Sequence, residues 1–134
     1  MTKMVKKSFD APDEIRSFDK SKVEVVNLGD CEAIRVTNQP GWRWSECVKP
    51  IVGTDSCQVS HLIQVISGRI MVRMDDGSEA ELCPGDVGSV PPGHDAWIVG
   101  NEPFTSIDFP NCRTMTPPSD TRPLQTKKQF PRLD

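Results

Sequence analysis

The sequence predicts a single all-β domain, and three observations carry that prediction. The chain has 134 residues, the usual size of one domain. From Val23 to Phe109, short runs of β-branched and apolar residues are interrupted by Gly, Pro, Asn and Asp at intervals of about eight to twelve residues, the pattern of antiparallel strands joined by turns. Between two such runs stands Asp76-Gly77, a dipeptide that supplies the positive φ values a tight hairpin needs.

Taken in order, residues 1–22 form an N-terminal arm. Within it, Ala11-Pro12-Asp13-Glu14-Ile15 carries a proline and acidic residues suited to the first turn of a short helix. The β domain covers 23–109, with strands predicted at Val23 to Leu28, Cys31 to Thr37, Trp42 to Val48, Gln58 to Ile66, Arg69 to Met74, Glu79 to Leu82, Val87 to Val90, His94 to Val99 and Phe104 to Phe109. Residues 110–134 form a tail that holds five of the twelve prolines and carries five basic side chains against two acidic ones. Such a polar, proline-rich segment buries too little apolar surface to fold alone, and it is predicted to be extended or partly disordered. Its net charge of +3 contrasts with −6 over the preceding 109 residues, so it could lie against its own domain or a neighbouring one.

Composition narrows the function. With 16 Lys and Arg against 19 Asp and Glu, the net charge is −3, so no overall field draws the protein to nucleic acid or to an anionic membrane. Apolar runs such as Ala96 to Gly100 are far shorter than the ~18 residues of a membrane span, and the lysine-bearing N-terminus has no signal-peptide core. A soluble, cytoplasmic protein is expected. The five cysteines are odd in number and lack a CxxC pair, which argues against a disulfide scaffold or a structural zinc knuckle.

One stretch carries a more specific signal. Ile66-Ser67-Gly68-Arg69, followed by a hairpin and then by Pro84-Gly85-Asp86-Val87-Gly88-Ser89-Val90-Pro91-Pro92-Gly93-His94, resembles the paired motifs of the cupin superfamily. In those proteins the first motif is a glycine, five residues, H-x-H, three or four residues, Glu, six residues and Gly. The second is G-x5-P-x-G-x2-H-x3-N. The resemblance covers Gly53 to about Glu102. Together with Pro40-Gly41-Trp42-Arg43-Trp44-Ser45 and Gly93-His94-Asp95-Ala96-Trp97, it points to small single-domain cupin-like proteins. It implies a conical β-barrel of the jelly-roll type, commonly a homodimer, with its ligand site inside.

The turn residues follow the pattern, since Gly85, Pro91 and Gly93 have the spacing of the second motif. The metal residues depart from it. Where such proteins place glutamate, this chain has His61, seven residues before Gly68. At the second histidine position stands Cys57, and at the first, Asp55. The position three residues after Gly93 is Ala96, which cannot ligate, but His94 lies seven residues before the Asn101-Glu102-Pro103 turn and takes the metal-histidine position on that register. With two histidines in the whole chain, a three-histidine site within one subunit is impossible.

Strand parity checks this set independently, because alternate side chains share a face. Asp55, Cys57, Val59, His61, Ile63 and Val65 have one parity, so if the aliphatic members point inward, Cys57 and His61 do too. His94 then enters from a neighbouring strand. Cys57, His61 and His94, with Asp55 as an optional fourth, suit a borderline ion, since thiolate and imidazole favour Zn²⁺ or Fe²⁺ over Mg²⁺ or Ca²⁺. In a metal-free alternative, both histidines are hydrogen-bonded pocket residues and Cys57 is a small hydrophobe. Trp42 and Trp44 share a parity opposite to Arg43 and Ser45, so either pair could line the barrel. Trp97 has the opposite parity to His94 and is expected at a sheet-to-sheet or dimer contact.

These features define the expected function. The leading reading is a small-molecule-binding pocket containing Trp44, Cys57, His61, Ile63 and His94, with Cys57, His61 and His94 as ligands of a divalent transition metal. One alternative is a metal-dependent enzyme acting on a small polar substrate, with no catalytic residue singled out beyond the metal set. The other is a non-catalytic interaction module that uses the basic tail. A homodimer is expected, with neither nucleic acid nor membrane as partner.

Overall fold

The computed structural model describes residues 3–110. It contains nine strands and two one-turn helices: β1 Glu14–Phe18, β2 Ser21–Asn27, β3 Glu32–Asn38, α1 Trp44–Cys47, α2 Lys49–Val52, β4 His61–Ser67, β5 Arg69–Met74, β6 Glu79–Leu82, β7 Val87–Val90, β8 His94–Val99 and β9 Phe104–Asp108. A six-stranded sheet runs in the order β1-β2-β3-β9-β4-β7 and a three-stranded sheet in the order β6-β5-β8. Every strand pair is antiparallel.

The two sheets enclose one core. Val65 and Phe104 of the larger sheet are each 1% exposed and pack in one cluster with Ile70, Val72, Ala96 and Ile98 of the smaller sheet. Burial alternates along β8 and β9 as a half-buried strand requires, so His94, Ala96 and Ile98 face inward with Phe104, Ser106 and Asp108. On β5, Ile70 and Val72 face the core, while Arg69 reaches Glu81 at 3.2 Å on the outside.

Two of the repeated glycines have positional reasons. Gly68 turns the chain from β4 into β5 at φ 76°, and a Cβ there would sit 2.5 Å from the Pro103 carbonyl oxygen and 2.7 Å from Phe104 Cα. Gly93, at φ 96°, would bring a Cβ 2.9 Å from an Asp75 carboxylate oxygen. At both positions a side chain is strained by the left-handed φ, and at Gly68 it would also meet backbone.

Two predicted elements differ. The segment expected to start a helix near Ala11 instead leads into β1, where Glu14 and Ile15 pair with Val25 and Glu24 of β2. Without β1, β2 would be an open edge, and ladder hydrogen bonds outweigh a weak local helix preference. The strand expected at Trp42 to Val48 gives way to α1 and α2. Asp95 Oδ1 accepts the Ser45 backbone N–H at 3.1 Å, turning the chain as it enters α1. Pro50 in the first turn of α2 and Gly53 at φ 80° at its end complete the turn. Trp44 and Cys47, three apart, are both buried, a spacing that fits one helical turn.

Among the described residues, no helix is long and apolar enough to cross a membrane. The tail over 111–134, including Cys112, lies outside the described residues.

Candidate metal centre

The centre forms where both sheets meet. Cys57 precedes β4 and makes an isolated bridge with His94 at the start of β8: the Cys57 N–H donates to the His94 carbonyl at 2.7 Å, and the Gly93 N–H donates to the Cys57 carbonyl at 2.7 Å. His61 opens β4, four residues after Cys57. The ligating atoms of Cys57, His61 and His94 all lie within 4.8 Å of one another. Cys57 Sγ is 3.8 Å from His61 Nε2, and the two imidazoles meet edge to face at 5.2 Å.

Each histidine is held through its other ring nitrogen. His94 Nδ1 lies 2.9 Å from the Pro91 carbonyl oxygen, an acceptor only, so Nδ1 donates to it and Nε2 is left for another partner. His61 Nδ1 lies 2.5 Å from Asp108 Oδ2 on β9, so Nδ1 carries a proton and Nε2 turns toward Cys57. A carboxylate or carbonyl behind each imidazole is the usual support of a ligating histidine, because it fixes ring orientation and raises basicity.

The electrostatics follow from these contacts. Burial opposes ionisation of Cys57, yet hydrogen bonds with His61 and His94 and with the Val59 backbone outweigh it and bring the thiol from 9.0 down to about 6. Burial likewise opposes a charge on His61, but Asp108 and then Cys57 stabilise the imidazolium and lift it from 6.5 to about 9. In the metal-free protein at neutral pH Cys57 is therefore mainly thiolate and His61 mainly imidazolium, which gives up its Nε2 proton when it ligates. The thiolate is the ligating form of cysteine, so this part of the cost of metal binding is met before a metal arrives.

A cavity of about 190 Å³ adjoins the trio, lined by Cys57, His61 and His94 together with Trp42, Trp44 and Ile63. The three proposed ligands and the expected pocket residues Trp44 and Ile63 thus share one space. Of the two pairs that could have lined the barrel, the tryptophans do, while the Arg43 guanidinium stacks outside on Trp97 at 4.3 Å and faces Asp95 at 3.4 Å. Asp55 is the exception in the parity set: it is exposed and lies outside the trio. The strand begins only at His61, so alternation does not extend back to residue 55.

Asp55, the optional fourth, is not at the centre; the acidic side chain there is Asp108, a support behind His61. Asp108 is 2% exposed and shares its parity with Phe104 and Ser106, so a charged residue at an inward position near the end of a strand was the available signal. Asn38, Trp42 and Ser106 also line the cavity.

No family model matches the sequence, and no curated protein matches it. Solved structures do. A protein of unknown function from Rhizobium leguminosarum bv. viciae superposes with a TM-score of 0.60 at 22% identity, covering 81% of this chain and 97% of the other. A sugar phosphate isomerase of the cupin superfamily from Silicibacter pomeroyi gives a TM-score of 0.56 at 19% identity over 79% of this chain and 74% of its own. A cupin-2 domain protein from Rhodospirillum rubrum gives 0.53 at 18% identity, with 81% and 67% covered. The chain has the cupin fold that the resemblance implies.

Proposed function

We propose that this protein binds a small molecule in its barrel and does so beside a divalent transition metal held by Cys57, His61 and His94. The observation that carries this reading is the orientation of both imidazoles, whose Nδ1 atoms are engaged by Asp108 and Pro91 while their Nε2 atoms turn toward the Cys57 sulfur. A sulfur and two imidazole nitrogens suit Zn²⁺ or Fe²⁺. Three protein ligands leave a coordination position for a water or a ligand atom, and the cavity adjoins them.

A metal at this place would polarise a bound oxygen or lower the pKa of a bound water. The chain's own residues have separate roles. Asp108 orients His61, the Pro91 carbonyl orients His94, and the apolar wall with Trp42 and Trp44 keeps bulk water from the guest. Among the described residues no lysine or arginine lines the cavity to meet a phosphate, so the reading does not extend to the phosphorylated substrate named for the Silicibacter neighbour.

The test is metal analysis of untagged protein, reported as metal per chain, beside the His61→Ala and His94→Ala variants. Near-stoichiometric zinc or iron, lost in both variants, is the expected result. Protein that stays metal-free after incubation with Zn²⁺ and with Fe²⁺ overturns the reading. Turnover of a bound molecule would extend it to the enzyme alternative.

A further inference from the structure

The cavity beside the metal centre has one polar end and an apolar length. The inward residues of β9 give its axis: Asp108 stands opposite Ile34 and Ile63, Ser106 opposite Val36, and Phe104 opposite Asn38, which in turn faces Ser21 on β2. The trio is at the Asp108 end, and the half-buried Phe18 and Ser21 are at the other. From Phe104 to Asp108 the strand spans roughly 13 Å at the usual rise.

The wall between the ends is made of Val36, Trp42, Trp44, Ile63, Val72 and Phe104. The polar residues along it add almost no polar surface, since Asn38, Ser106 and Asp108 are 2%, 1% and 2% exposed. At the trio Cys57 and His94 are buried too, but the His61 side chain keeps 23% exposure. Polar contact with a guest is therefore concentrated at the ligating end.

We infer that the pocket takes a molecule with an apolar body and a single metal-ligating head, the body along the wall and the head at the trio. The inference rests on the reading of the cavity as a small-molecule pocket beside a metal, and it names the class of the occupant. Size follows from volume: a cavity of about 190 Å³ is somewhat larger than the roughly 150 Å³ that admits benzene, so the guest has about seven to nine non-hydrogen atoms.

The apolar body follows from the wall, because hydroxyls spread over a guest would give up hydrogen bonds with water for contact with carbon. The single head follows from the placement of ligating groups. Among the described residues the trio is the only cluster able to hold a metal, and a second polar group midway along the guest would meet apolar side chains. The coordination position left by three protein ligands takes an oxygen or a nitrogen donor, so an anionic carboxylate and a neutral ring nitrogen both qualify as the head.

The experiment titrates the full chain, Zn²⁺-loaded and metal-depleted, with benzoate, 4-methylpyridine, toluene and myo-inositol, read by calorimetry. Benzoate and 4-methylpyridine distinguish the two kinds of head, toluene is the body without one, and inositol is a ring with a hydroxyl on every carbon. The better of the two head-bearing probes is expected to bind zinc-loaded protein about tenfold or more tightly than inositol does, and about tenfold or more tightly than it binds metal-depleted protein. Toluene should bind both forms alike. Val36→Phe fills the wall away from the trio and should weaken every aromatic probe about tenfold while zinc uptake, which also reports the fold, is kept. Inositol binding as tightly as the aromatic probes overturns the inference, as does head-bearing binding that zinc does not strengthen, or a zinc-binding Val36→Phe variant with full aromatic affinity. If any of these occurs while zinc binds stoichiometrically, the guest class fails and the metal centre stands. If no zinc is taken up, the function proposed for the centre fails and the head fails with it.

Discussion

Replacing Asp108 by Asn tests the centre at its support rather than at a ligand. Asp108 touches none of the proposed coordination positions, yet its Oδ2 lies 2.5 Å from His61 Nδ1 and it is 2% exposed. Asparagine is nearly isosteric and can still accept the Nδ1 proton through its carbonyl oxygen, so the tautomer survives while the negative charge is lost. Loss of such a support behind a ligating histidine typically weakens metal binding about 10–100-fold, which is roughly 1.4–2.7 kcal/mol. The assay is competitive zinc titration against a chromophoric chelator, with circular dichroism to confirm the fold. His61→Ala, which removes the ligand itself, should lose more than Asp108→Asn. Asp55→Ala should lose nothing, since Asp55 is exposed and outside the trio. Wild-type affinity in a folded Asp108→Asn variant would refute the argument that Asp108 prepares His61 to ligate.

Other consequences are equally open to measurement. In chelated protein, thiolate absorbance near 240 nm, corrected with Cys57→Ser, should titrate near pH 6; His61→Ala should move it up toward the unperturbed 9.0, because the hydrogen bond that lowers it is gone. The folded pKa of Cys57 is depressed, so its contribution to stability is complete above the unfolded value and is lost as pH falls through about 6. The stability difference between wild type and Cys57→Ser should therefore grow as pH rises from about 6 toward 9, and a difference independent of pH would contradict the ionised state. Gly68→Ala forces a left-handed alanine against the Pro103 and Phe104 backbone and should cost about 2–5 kcal/mol, read as a fall of well over 5 °C in Tm. Arg43→Ala removes only a partly exposed stack and ion pair, so its cost should stay below about 1–2 kcal/mol while the emission of Trp97 changes.

How much of this could be read from the sequence depends on how local each signal is. β5, β6, β7 and β8 occupy the predicted residues because each is bounded by Gly or Pro turns and shows alternation that no other structure satisfies. Trp42 to Val48 misled for a physical reason: alternate burial of Trp42 and Trp44 fits a strand, while Trp44 and Cys47 fit a helical turn, and seven residues are too few to separate the two periods. The deciding contact, Asp95 to the Ser45 N–H, comes from β8, fifty residues away. β1 was hidden similarly, since its four exposed residues carry no hydrophobic face and it exists as the partner of β2.

At the site, Cys57, His61 and His94 were legible because motif spacing and parity agree on them. Asp108 was not, although its inward parity could be counted, because parity says which face a side chain takes and not which strand lies beside it. Only the sheet order, with β9 between β3 and β4, sets Asp108 opposite Ile63 and within reach of His61. That placement lets Oδ2 support the centre from behind His61, so the residue that prepares this ligand is set by the sheet order and not by the spacing that places the ligands.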